Sequence, residues 1–161
     1  MWLLLLAVSC SLVAPDAMIT VAHVRPTSPS ASTLLTEATA HSSVVNQLVE
    51  RLTGSDVIVY VEIVASPEIP LARTKLVSGS AGARFLRISI NVRNPVWDRV
   101  ALLAHELQHA VEIAAATDVR DDEGVRRLYA RIGFPGGTDR FETIAAKRME
   151  MLARGELAQR R

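Results

Sequence analysis

The sequence predicts one α+β domain, a small antiparallel or mixed sheet packed on three to four helices. Three observations predict it. The runs VIVYVEIV (57–64) and RFLRISINV (84–92) alternate apolar residues with others, the period-two pattern of strands. Between residues 96 and 116 no Gly or Pro occurs, and Val100, Leu103, Leu107 and Val111 recur at helical spacing. At 161 residues, 49% of them hydrophobic, the chain can bury one sizeable core. Its charges nearly balance, at +1, which leaves nucleic-acid binding without electrostatic support. A single Cys excludes a disulfide framework within the chain.

The first element is a targeting segment. Residues 1–17 read as a signal peptide or lipoprotein signal, because MWLLLLAVSCSLVA is apolar for about 14 residues, short of the ~20 that span a bilayer. The usual leading Lys or Arg is missing. Ala7-Val8-Ser9-Cys10 is similar to a lipobox with its Leu one position early, so lipidation of Cys10 and membrane anchoring are one outcome. Cleavage and release is the other. Either way the expected location is extracytoplasmic: secreted, periplasmic or lipid-anchored. Residues 18–33 form an expected linker, with RPTSPSAST as its tether, and residues 34–161 the domain.

Residues 33–53 read as one helix, with Leu35, Val44, Val45, Leu48 and Val49 as its apolar positions and Gly54 as its end. His41 falls on the polar side. In the first strand Val57, Val59, Val61 and Ile63 share a face. Residues 74–77 lead into the turn SGSAG. In 84–92, Leu86, Ile88, Ile90 and Val92 alternate with Phe85, Arg87, Ser89 and Asn91, as in a half-buried antiparallel strand. The next helix has Asn94 as expected N-cap, Pro95 at its first position and Asp98 in its first turn. A short helix at 122–132, a turn at 133–137 and a helix over 139–157 follow. The last has Phe141, Ile144, Ala145, Met149 and Leu152 on its apolar face.

The helix from 96 carries the chemistry, as His105-Glu106-Leu107-Gln108-His109. Histidines four residues apart stand on one helix face, separated by about 6 Å of rise, and both can reach one metal ion. Glu106 points beside that pair, where it can take a proton without occupying a ligand position. The bland alternative is a core helix whose histidines merely satisfy local partners. A third ligand is needed. Glu112 lies about 10.5 Å of rise from His105, too far to share an ion with it. A glycine three residues after His109 with a further histidine is missing, since Glu112 and Ala115 stand there. The only cysteine, Cys10, is far upstream. A later carboxylate remains: Asp118, Asp121, Asp122, Glu123, Asp139, Glu142, Glu150 or Glu156. Glu142 is preferred, because Ala145 and Ala146 would let its helix come close to the histidines. Its alternative role is a capping box with Asp139 as N-cap. Tyr129 is expected either to donate to a developing oxyanion or to sit in the core with its hydroxyl at the rim.

HELQH at 105–109 with FETIAA at 141–146 resembles the gluzincin branch of zinc metallopeptidases, and within it small secreted bacterial proteins with only the minimal core. The resemblance covers about residues 57–157. It implies a zincin-like fold with Zn²⁺ held by His105, His109 and Glu142. It also implies hydrolysis of a peptide or protein substrate by metal-activated water, with Glu106 as general base. Larger gluzincins carry an additional domain with further catalytic side chains, for which this chain has no room. The strand at 84–92 would hold an extended substrate at its edge. A non-catalytic secreted or anchored zinc-binding module is the competing expectation.

Overall fold

Alternation in the two central strands turns Val57, Val59, Val61, Leu86, Ile88 and Ile90 to one side, where none keeps any exposure. That apolar surface builds the fold. The computed structural model describes residues 23–69, 71–80, 82–136 and 141–159. The expected signal segment and Cys10 lie outside them. Among the described residues no helix is long and apolar enough to cross a membrane.

Four strands form a mixed sheet in the order β1 (Val24–Pro26), β2 (Val57–Val64), β4 (Arg84–Asn91), β3 (Ala72–Gly79). The first three are parallel, and β3 runs antiparallel to β4 along the edge. Helices α1 (Pro29–His41), α2 (Ser43–Thr53) and α3 (Val96–Ala115) pack on the apolar face, and α5 (Ile144–Ala158) packs on α3. Between α3 and α5 come α4 (Asp122–Ile132) and a small hairpin, β5 (Phe134–Pro135) with β6 (Phe141–Glu142). The fold is mixed α and β, as expected, with five helices where three to four were expected.

Several elements differ from expectation for local reasons. The described part of the expected linker is structured: Val24 is buried against β2, and Ser28 caps α1 with Pro29 in its first turn. Its Ser- and Pro-rich composition reads as a tether but is also a helix-start signal. Residues 33–53 are two helices. At Ser42 the backbone is extended, and the Ser42 hydroxyl accepts from Val45 N while donating to Glu156 Oε2. Asn94 is not the N-cap of α3, a position held by Pro95. Its side chain donates instead to the carbonyls of Leu71 and Asn91, closing the turn after β4. The last helix begins at Ile144 with Thr143 as N-cap. The expected cap Asp139 lies outside the described residues. Ala146, Ala153 and Leu157 make the buried face of α5, while Ile144 and Leu152 are exposed. Small residues win that face because α5 lies close against α3.

One polar group ties the scaffold together. Arg84, at the start of β4, is fully buried. Its guanidinium donates to the carbonyls of Ile113 (2.6 Å), Ala116 (2.8 Å) and Ala114 (3.0 Å), satisfying the C-terminal end of α3. Asp56 accepts from Arg84 Nε at 3.0 Å and from Arg120 at 2.8 Å. The Arg84 hydrogen bond chiefly holds the Asp56 carboxyl below its ordinary 3.8, against the effect of burial.

Replacing Arg84 with Met should cost about 3–5 kcal/mol in urea unfolding, because Asp56 and the helix-end carbonyls lose their partner. A folded-state pKa below the unfolded one stabilises fully above the unfolded value, and that gain disappears as pH falls through the folded value. Wild type should therefore exceed Asp56→Asn in stability at pH 7. The gap should close in acid, below the ordinary carboxylate range, when unfolding is followed against pH.

Candidate metal centre

Helix α3 has no break from Val96 to Ala115, so His105, Glu106 and His109 hold the spacing that the sequence implies. All three are buried at 6% exposure. Each imidazole is oriented by a carboxylate. His105 Nδ1 lies 3.0 Å from Glu150 Oε2 of α5, and His109 Nδ1 lies 2.9 Å from Glu112 Oε2 of its own helix. A carboxylate only accepts, so each Nδ1 donates, and in the neutral ring that leaves Nε2 as the nitrogen able to ligate. Those two Nε2 atoms face each other at 3.2 Å.

The surrounding groups hold the carboxylates ionised. Burial opposes ionisation of Glu112, but hydrogen bonds from His109 and from Thr143 Oγ1 (2.7 Å) leave its pKa lowered. The His105 hydrogen bond, aided by Arg154, lowers the Glu150 pKa. Burial depresses the His105 pKa, yet the Glu150 hydrogen bond and the charges of Glu106 and Glu142 outweigh it and leave it raised.

Glu142 arrives from the β5–β6 hairpin, one residue ahead of the α5 cap, and not from the helix itself. Thr143 takes the capping role, so the capping-box alternative for Glu142 does not hold. Glu142 Oε2 is buried, 3.4 Å from His105 Nε2, and has no hydrogen-bond partner among the described residues. One ligating atom each from His105, His109 and Glu142 lies within 4.8 Å of the others. Two imidazole lone pairs and a carboxylate oxygen converging on one buried point form a donor set that a metal ion fits. Gly136 leaves the room for this side chain: a Cβ there would stand 2.5 Å from Glu142 Cγ.

Glu106 stays outside the donor set, and its Oε2 accepts from Thr74 Oγ1 of β3 at 2.7 Å. Two hollows flank the cluster, of about 550 Å³ beside His109 and Tyr129 and about 480 Å³ beside His105 and Phe134. Ala72, Glu106 and Glu142 line both. The strand bordering them is β3. The expected substrate strand, β4, is internal, with both edges already paired to β2 and β3, so it cannot accept another chain. Tyr129 is buried, its hydroxyl 3.4 Å from the carbonyl of His109 and its ring edge-on to His109 at 5.4 Å. Burial pushes its phenol pKa well up. The hydroxyl reaches helix backbone, as the core alternative expects, while the residue also lines the larger hollow.

Compared with family models, curated proteins and solved structures, the chain matches none. The site therefore rests on its own geometry. The structure places the sequence-predicted His105, Glu106, His109 and Glu142 side by side, with supports that sequence reasoning missed. Glu112 had a readable signal, three residues beyond His109 on the same helix face. Thr74 and Glu150 had none, because only the tertiary packing of β3 and α5 brings them in.

Glu112→Gln and Glu150→Gln should each weaken metal affinity about 10–100-fold, measured by competition with a chromophoric chelator. Gly136→Ala should weaken it too, by displacing Glu142. Gly54→Ala, whose Cβ meets nothing within 4 Å, should leave it unchanged.

Proposed function

We propose that this protein is a zinc-dependent peptidase with a zincin-like fold, acting on peptide or protein substrates. One observation carries the reading: the buried Glu142 Oε2, without a hydrogen bond among the described residues, joins two oriented imidazoles beside a glutamate that stands outside the donor set. His105 and His109 would hold the ion through Nε2 and Glu142 through Oε2. When bound, zinc supplies Lewis acidity, lowering the pKa of adjacent water and polarising a carbonyl. The chain's own residues supply the rest. Glu106 accepts the proton lost by the attacking water and returns it to the amine nitrogen as the C–N bond breaks. Thr74 holds the Glu106 carboxylate toward β3, and the exposed edge of β3 offers backbone groups to an extended peptide. This assignment agrees with the gluzincin resemblance of residues 105–109 and 141–146. The apolar leader supports an extracytoplasmic site of action, either anchored through a lipid on Cys10 or released by cleavage.

Glu106→Gln should retain the metal and lose about 10²–10⁴-fold in peptide-library hydrolysis. A zinc-loaded wild type that cleaves no peptide would contradict the peptidase reading and leave the non-catalytic zinc-binding module.

A further inference from the structure

The second face of the sheet carries no helix among the described residues. The loop before β3 folds over one end, with Asn91 Nδ2 donating to the carbonyls of Ser66 and Ile69. Elsewhere the register lines up Arg25, Tyr60, Arg87 and Lys75 in one row across all four strands. Arg73 stands two residues along β3 on the same face. Tyr60 and Phe85 stack at 6.4 Å, and the Arg25 guanidinium lies 6.0 Å from the Tyr60 centroid. Lys75 and Arg87 are directly opposite across an antiparallel pair, and both are exposed. Like charges so placed destabilise a sheet. Arg73, Lys75 and Arg87 form no ion pair with a described residue. Among the outward strand positions Glu62 is the one carboxylate, and it accepts from Ser89 at 2.6 Å. The overall charge of +1 thus conceals a basic face behind an acidic site.

We propose that this face docks the protein on an anionic phospholipid surface. Among the described residues the array is an open sheet face, which suits a surface better than a folded ligand. Its two aromatic rings are turned toward each other and not laid out as separate platforms for bases. Basic side chains near an anionic leaflet each add to binding, and tyrosine suits the headgroup region. The chain also enters the sheet from the apolar leader. Cys10 lies 14 positions before Val24, a length that spans at most about 50 Å. A leader held at a bilayer therefore keeps the face within reach of it. Arg73 and Lys75 also border the larger hollow, so docking would set the mouth of the site beside the lipid.

The test is co-sedimentation of the full chain with vesicles of phosphatidylcholine plus phosphatidylglycerol and of phosphatidylcholine alone. The readout is the ratio of the two partition coefficients, to which the leader contributes equally. Wild type should favour the anionic vesicles, less so at high salt. Lys75→Gln/Arg87→Gln should lower the anionic partition about 30-fold. Its thermal unfolding should be unchanged or raised, since a like-charge pair is removed. Arg127→Gln/Arg131→Gln, an equal charge change on α4, should bind as wild type does. A wild-type ratio of one, a sheet-face variant that binds normally, or equal losses in both variants would overturn the proposal. So would oligothymidylate binding lost in the sheet-face variant without any lipid preference, which would assign the face to nucleic acid.

Discussion

Four glutamates crowd two buried imidazoles. Glu106, Glu112, Glu142 and Glu150 all meet His105, His109 or the space between them. Among the described residues the one guanidinium that pairs with the set is Arg154, on Glu150. Buried carboxylates without compensating charge are costly. Two of these four are compensated by the rings they orient, and that orientation exposes two lone pairs to Glu142. A cation at its centre would balance the remaining charge. Most other features of the site serve that arrangement, from the Thr143 hydroxyl on Glu112 to the space at Gly136.

The sheet topology decides what can reach this centre. Because β4 lies between β2 and β3, the sheet strand nearest the cluster with an open edge is β3. The same strand gives Thr74 to Glu106 on its inner face and Lys75 to the basic row on its outer face. Arg84 fixes the far end of α3, so the helix with both histidines is held at its C-terminus by β4 and along its side by α5.

Much of this was legible in the primary structure, and the failures have a common origin. The period-two runs marked β2 and β4, and the unbroken apolar repeat marked α3 with its histidines in place. Glu142 is the preferred one of eight later carboxylates in the sequence, but its local structure differs from the expected helix. A carboxylate three residues after Asp139 reads as the first turn of a helix, whereas hairpin pairing with Phe134 puts Glu142 in a strand. Ser42 was passed over because its neighbours keep a helical period on both sides. Strand order, the buried Arg84 and the Glu150 support depend on contacts between residues far apart in the chain, which no local pattern encodes. The buried face of α5 was misassigned because hydrophobicity marked Ile144 and Leu152, while close packing against α3 selected Ala146 and Ala153.

The most direct measurement is zinc content by elemental analysis of the purified protein after reconstitution, with Glu142→Ala beside wild type. About one zinc per wild-type chain, lost in Glu142→Ala while its folded spectrum is kept, is the expected result. A wild type that holds no zinc, or a Glu142→Ala variant that holds as much, would contradict the metal centre.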